Sequence, residues 1–187
     1  LAQGTSLAAH VAPVAALGAW SYYAKGHADL SLALVLACGF ALGQLAGGRI
    51  AIAVTPSLLG RAFALFLLVE AAYLFFRTAP ITPSLETSSA GPWLFATVAL
   101  IGTLAGAMGG LFGFGGGLVA VPILVVALGF PQHLAQGTSL VALTLPVTAF
   151  GAYHYHRKGD VSIGAAAWVA LGVFAGVLVG SQVALDL

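Results

Sequence analysis

The 187-residue chain is 60% hydrophobic and 6% charged, with a mean hydropathy of +1.06 and a net charge of +1. A soluble domain is about 25% charged, so six Lys/Arg and five Asp/Glu cannot cover a water-exposed globule. This excludes an ordinary cytosolic domain, a disordered chain and a nucleic-acid binder with a basic face; the single Cys38 excludes an intrachain disulfide, and no Cys/His cluster has zinc spacing.

The apolar runs do not alternate as porin strands do. About 20 apolar residues cross the hydrocarbon core, and several runs reach that length. The expected fold class is therefore all-α, a polytopic transmembrane helix bundle. In chain order, spanning helices are predicted over 5–23, 30–48 and 57–76. A broken helix follows over 92–128, its second piece being the short apolar run 118–128. Helices over 137–156 and 162–185 complete the set. The connectors carry most of the charge: Lys25 and Asp29, Arg49 and Arg61, Arg77 and Glu86, then Arg157, Lys158 and Asp160. The stretch 77–91 is rich in Ser, Thr and Pro and reads as an exposed loop between two halves.

The halves are copies of one another. Residues 1–7 and 134–140 both read LAQGTSL, and 16 of 26 positions are identical between 1–26 and 134–159. At this offset Pro13 meets Pro146, Gly18 meets Gly151, Tyr22 meets Tyr155 and Lys25-Gly26 meets Lys158-Gly159. Residues 1–76 are then part of repeat 1, with three membrane helices, and 92–187 form repeat 2. The alignment predicts a two-repeat protein of about 255 residues, with roughly 42 before Leu1 and roughly 25 after Leu187. Inverted repeats are expected, because broken half-helices meeting at the midplane are typical of that design. If 118–128 counts as a crossing the halves are inverted, with Arg49, Arg61, Arg157 and Lys158 on one side and Lys25 and Arg77 on the other; if it does not, the repeats are parallel, with Lys25, Arg77, Arg157 and Lys158 opposite Arg49 and Arg61.

The sharpest local feature is 109–117, GGLFGFGGG, with six glycines in nine residues. Each costs about 1 kcal/mol in a helix against Ala. The incoming helix should end near Gly109 to Gly113 and resume as a short helix. Non-helical backbone at membrane depth is tolerated only inside protein or beside a cavity. Gly113, Gly115, Gly116 and Gly117 are therefore candidate substrate-binding residues: bare N–H groups and a helix start suit an anion. Gly102, Gly106 and Gly110 have the GxxxG spacing of close helix packing.

The second candidate is the pair of tetrads Gln3-Gly4-Thr5-Ser6 and Gln136-Gly137-Thr138-Ser139. Each lies near a helix start. Their donors suit an oxyanion at a site between halves, and capping is the other reading. Glu70 is the one acid well inside an apolar run. It fits either proton coupling or an interfacial position paired with water or Arg77. His154 and His156, alternating with Tyr153 and Tyr155 before Arg157-Lys158, read as an interfacial belt. His10 lacks a counterpart in the second repeat, and His27 and His133 read as solvated connector residues. Pro13 and Pro146 should kink their helices. No cofactor or metal is expected.

At these residues the sequence resembles the TauE/SafE sulfite exporter family of membrane anion permeases. The resemblance rests on GGLFGFGGGLVAVPILVVALGFPQHLAQGTSL and on GAYHYHRKGDVSIGAAAWVALGVFAGVLVGS, in that order, and on the duplication. It implies a secondary transporter or exporter of a sulfur-containing oxyanion, sulfite or an organosulfonate, in the cell inner membrane. A passive anion channel or a membrane subunit of an assembly is the alternative. An intramembrane enzyme fits poorly, since only Asp29, Asp160 and Asp186 exist and all lie near helix ends. The expected partners are a small anion, the lipid bilayer and a second copy of the chain in a homodimer, with no nucleic acid.

Overall fold

The computed structural model describes residues 1–76 and 91–186, the side chains of Glu70, Tyr73, Leu74 and Asp186 excepted. Among the described residues all regular structure is helical: α1 (Ala2–Ala9), α2 (Ala16–Ala24), α3 (Leu30–Ala53), α4 (Pro56–Phe76), α5 (Pro92–Phe112), α6 (Gly117–Leu128), α7 (Gln132–Thr144), α8 (Thr148–Arg157) and α9 (Ile163–Asp186). The spans Leu30–Ala53, Pro92–Phe112 and Ile163–Leu185 are long and apolar enough to cross a membrane. Helices α7 and α8, bent by 48° at their break, add a fourth if counted as one span. The molecule is a polytopic helical membrane bundle.

Two boundaries differ from expectation. The helices expected at 5–23 and 137–156 are each two helices, separated at Pro13 and Pro146. Proline lacks the N–H that continues a helix, and it disfavours helical backbone at the preceding residue. Leu145 is extended accordingly, with φ −71° and ψ 149°. These prolines end a helix where a kink was expected. Further on, α3 continues past Gly48 to Ala53, and α4 starts at Pro56 after an extended Val54. Arg49 and Arg61, assigned to connectors by sequence, therefore sit within helices, both exposed.

The duplication is built into the packing. At the repeat offset α1 corresponds to α7, α2 to α8 and α3 to α9. Helix α1 packs on α8 and α9, while α7 packs on α2 and α3. Each repeat thus lays its first helix on the other repeat. The polar contacts follow the same rule. Thr5 Oγ1 accepts from Ser162 N at 3.1 Å, and Thr138 Oγ1 accepts from Asp29 N at 3.1 Å. Lys25, before the start of α3, donates to Leu185 O at the end of α9 (3.4 Å). Lys158, before the start of α9, donates to Ile52 O near the end of α3 (2.9 Å). Each long helix begins where the other ends, so α3 and α9 are antiparallel and the repeats are inverted.

Helix α5 runs parallel to α3 on a seam of glycines. A Cβ at Gly102 would lie 2.7 Å from Leu36 O, one at Gly106 2.5 Å from Phe40 O and one at Gly110 2.7 Å from Gln44 O. Gly39, Gly43 and Gly47 meet α5 from the other side. The backbones approach this closely because the seam has no side chains. On α9 the corresponding glycines 172, 176 and 180 have no described atom within 4 Å of such a Cβ. The main core lies where α3, α5, α6 and α7 meet, around Phe40, Val98, Leu124 and Phe130.

The tetrad glycines are equally confined. A Cβ at Gly4 would lie 2.5 Å from Asp160 O, and one at Gly137 would overlap His27 O and lie 2.8 Å from Tyr22 Cβ. Gly137→Ala should therefore lower stability by about 1–3 kcal/mol through overpacking. Gly60→Ala, where a Cβ meets nothing within 4 Å, should be neutral or mildly stabilising. Thermal unfolding of the whole protein in detergent checks this. Equal melting temperatures for the two variants would contradict the interlock.

Candidate functional site

Helix α5 ends at Gly113, which is left-handed (φ 90°) and donates its N–H to Gly109 O at 2.8 Å. Gly115 (φ 86°) and Gly116 (φ 109°) share that region, which costs other residues about 1–2 kcal/mol each. The chain then doubles back: a Cβ on Gly116 would lie 3.0 Å from Ala105 O, eleven positions upstream. Helix α6 opens at Gly117 with Gly116 as its cap and no side-chain cap. Val119 N–H bonds back to Gly116 O at 3.2 Å, and the start of the helix carries the positive end of its dipole. Gly113, Gly115 and Gly116 are buried, so this break is enclosed by protein, as a membrane requires. Phe112 and Phe114 pack their rings against Phe63 and Phe66 of α4, with ring centroids 5.2–6.3 Å apart, and cover the turn on one side.

Both tetrads reach this turn. A Cβ on Gly113 would lie 2.7 Å from Gln3 Cα, and one on Gly117 would lie 3.3 Å from Ser139 Oγ. Ser139 is 2% exposed, and its hydroxyl has no hydrogen-bond partner. Gly117, Gln136 and Ser139 line a cavity of about 320 Å³, together with Tyr22, Val121, Leu140, Leu143 and the α9 residues Val177, Gly180 and Ser181. Tyr22 donates to Gln136 Oε1 at 2.9 Å, which leaves the Gln136 NH2 group to donate elsewhere. The other tetrad residues are engaged in the interlock: Gly4 and Gly137 by close packing, Thr5 and Thr138 through their hydroxyls. Ser6 is half-buried, and its carbonyl meets His10 Nδ1 at 2.8 Å, which gives that histidine a local partner. Tyr155, the counterpart of Tyr22, donates to Gly110 O and Leu111 O at 3.1 and 3.2 Å and meets the end of α5.

The break between α7 and α8 arrives at the same point. A Cβ on Gly115 would lie 3.6 Å from Thr148 Cγ2. Thr148 is the first residue of α8, fully buried, and its hydroxyl has no partner. Gln44, 0% exposed in the middle of α3, donates from Nε2 to Gly115 O at 3.0 Å, and its Oε1 is unpartnered. Gln44, Thr148 and Ser139, which all touch the glycine turn, each carry a buried polar atom without a protein partner, an arrangement that calls for water or a ligand. Neither Gln44 nor Thr148 was singled out by sequence. Gln44 carried a signal, as the one amide inside the apolar run 30–48. His133 also departs from expectation: it lies in the first turn of α7, its Nδ1 is buried, and its ring is 5.3 Å from that of His27. The Glu70 side chain and Arg77 lie outside the described residues. No group of three metal-ligating side chains is found among the described residues.

Gly116→Ala should be damaging, combining left-handed strain with a 3.0 Å approach to Ala105 O, and Gly113→Ala, left-handed with a 2.7 Å approach to Gln3 Cα, at least as damaging. The expected cost is about 1–3 kcal/mol, seen as a lowered melting temperature together with impaired ligand binding. A Gly116→Ala protein as stable and as active as the parent would show that the turn does not take this form.

Comparison with known proteins agrees with the resemblance. A probable membrane transporter protein of Haemophilus influenzae is 39% identical over 84 residues, covering 42% of this chain and 30% of that protein. The probable membrane transporter protein YdhB of Bacillus subtilis is 24% identical over 181 residues, covering 97% of this chain and 73% of that protein. No solved structure matches. The sulfite exporter TauE/SafE family matches residues 1–187. This inverted-repeat membrane protein, with its enclosed glycine turn, belongs to the TauE/SafE sulfite exporter family.

Proposed function

We propose that the protein is a secondary transporter of a small sulfur-containing oxyanion, sulfite or an organosulfonate, across the cell inner membrane. The observation that carries this reading is the start of α6. Three left-handed glycines deliver an uncapped helix N-terminus to the break between α7 and α8, beside the buried, unpartnered Ser139 hydroxyl. A helix start with bare N–H groups is an anion site. The family to which the chain belongs is described by sulfite export, and both relatives are named as probable membrane transporters.

The roles divide as follows. The N–H groups that open α6 at Gly117 and the Ser139 hydroxyl donate to the oxyanion, and the Gln136 amide, oriented by Tyr22, donates from the cavity wall. Gly113, Gly115 and Gly116 shape the turn. Thr5, Thr138, Gly4 and Gly137 hold the two repeats together around it. Gln3 abuts the turn at Gly113 and Ser6 stands at the position equivalent to Ser139, so both belong to the first-repeat side of the site. The cavity lining contains no Lys or Arg. Such a site binds by partial charges and releases its anion each cycle. A multivalent phosphate, which recruits Arg or Lys, is disfavoured there. Taurine is disfavoured too, because its ammonium finds no acid in the lining.

Counterflow in liposomes containing the whole protein tests the function. Sulfite or sulfoacetate should exchange saturably, at micromolar to millimolar concentration, an order-of-magnitude range for recognition by few contacts, and phosphate and taurine should compete poorly. Unsaturable conductance would mark a channel, and silence toward every anion would mark a subunit of an assembly. Ser139→Ala should weaken sulfite binding about 10- to 100-fold, the usual worth of a hydrogen bond to a charged group. Thr138→Val should instead lower stability, by about 1–3 kcal/mol for the Asp29 N–H left unmet, with a smaller effect on affinity. The reverse pattern would move the binding site to the interlock.

A further inference from the structure

We propose that Gln44 is the positioning residue of the glycine turn, a role that rests on reading the turn as the substrate site. Its side-chain amide holds the Gly115 carbonyl and so sets the direction in which the first α6 N–H groups point. Gln44 is fully buried and donates from Nε2 to Gly115 O at 3.0 Å. A carbonyl can only accept, so this bond fixes which end of the amide faces the turn. Oε1 then points toward α8, where a Cβ on Gly151 would lie 2.9 Å from it, and it has no protein partner.

The turn needs such a hold from outside. Gly115 and Gly116 have no side chains of their own, and both occupy a region that only glycine visits freely. Two residues after Gly115 the chain opens α6. A rotation at Gly115 therefore swings the N–H groups that make the anion site. Gln44 reaches the turn from α3, a 24-residue helix locked to α5 by the glycine seam. A rigid helix thus aims a flexible turn.

Packing alone does not account for this residue. Its equivalent in the second repeat is Val177, so the duplicated scaffold accepts an apolar side chain at that position of the helix. Burying an amide is costly unless it is hydrogen-bonded, and half of this one has no partner. Thr148, on the far side of Gly115, is likewise fully buried and unpartnered. Gln44 comes from repeat 1 and Thr148 from repeat 2, and each has an apolar residue, Val177 and Ala15 respectively, at its equivalent position.

The test compares Gln44→Met and Gln44→Glu in the whole protein. Methionine keeps the length and loses the donor. Glutamate donates to Gly115 O only when protonated, and burial favours its protonated form. Amide hydrogen exchange over 113–117 should be about tenfold faster in Gln44→Met, as for loss of one hydrogen bond, and the sulfite KM in liposomes should rise about tenfold. At about pH 6, Gln44→Glu should restore both values toward those of the parent. Unchanged exchange and KM in Gln44→Met would overturn the proposal. So would a Gln44→Glu protein whose exchange and KM stay far from the parent's at about pH 6, a comparison that needs no methionine variant. A parent protein that moves no sulfite would sink the substrate reading, and the exchange data would still judge Gln44.

Discussion

A helix broken inside a bilayer leaves N–H and C=O groups that lipid cannot meet, and each must find a partner within the protein. The rest of this structure follows from that constraint. The chain breaks its helices at Pro13, at Gly113 to Gly116 and at Pro146. The glycine turn is buried and reached by Gln44 from α3, and its own Phe114 stacks on Phe63 and Phe66 of α4. Tyr155 caps carbonyls at the end of α5. The N–H groups at the start of α6 receive no side-chain cap. An enclosed helix start left open is where a membrane protein can hold an anion without a buried cation.

Duplication supplies the frame that tolerates these breaks. Each repeat offers the other a threonine hydroxyl, a glycine notch and a lysine, at equivalent positions: Thr5 and Thr138, Gly4 and Gly137, Lys25 and Lys158. The contacts are reciprocal, so the two halves hold one another in a fixed, inverted relation. The site itself is less symmetric. Tyr22 orients Gln136 while Tyr155 caps α5, and Gln44 stands opposite Val177 in the alignment. A symmetric scaffold thus carries an asymmetric set of polar contacts.

Much of this was legible in the sequence because it is local or periodic. Apolar length marks the spans of α3, α5 and α9, glycine density marks the turn, and the LAQGTSL pair marks the duplication. Inversion could also be anticipated, once 118–128 was counted as a segment. What could not be read was which atoms meet across the repeats. LAQGTSL looks the same whether Thr138 faces a ligand or the Asp29 N–H 109 positions away. The tetrad divides by helical face: Ser139 toward the glycine turn, Gly137 and Thr138 toward the other repeat. Gln44 and Thr148 were missed for the same reason, since a single amide or hydroxyl in a span carries no period. The prolines were seen, but their effect was set too low. At each the backbone turns on short local bonds, Val14 N–H to Ala12 O and Val147 N–H to Leu145 O among them.

The central claim is that the N–H groups opening α6, with Ser139, hold an oxyanion. A structure of the whole protein with selenite tests it most directly, because selenite has the trigonal-pyramidal shape and charge of sulfite and selenium scatters anomalously. The account predicts one anomalous peak at the start of α6, with its oxygens within hydrogen-bond distance of the Gly117 N–H and Ser139 Oγ. A peak elsewhere in the bundle, or none at saturating selenite, would contradict it.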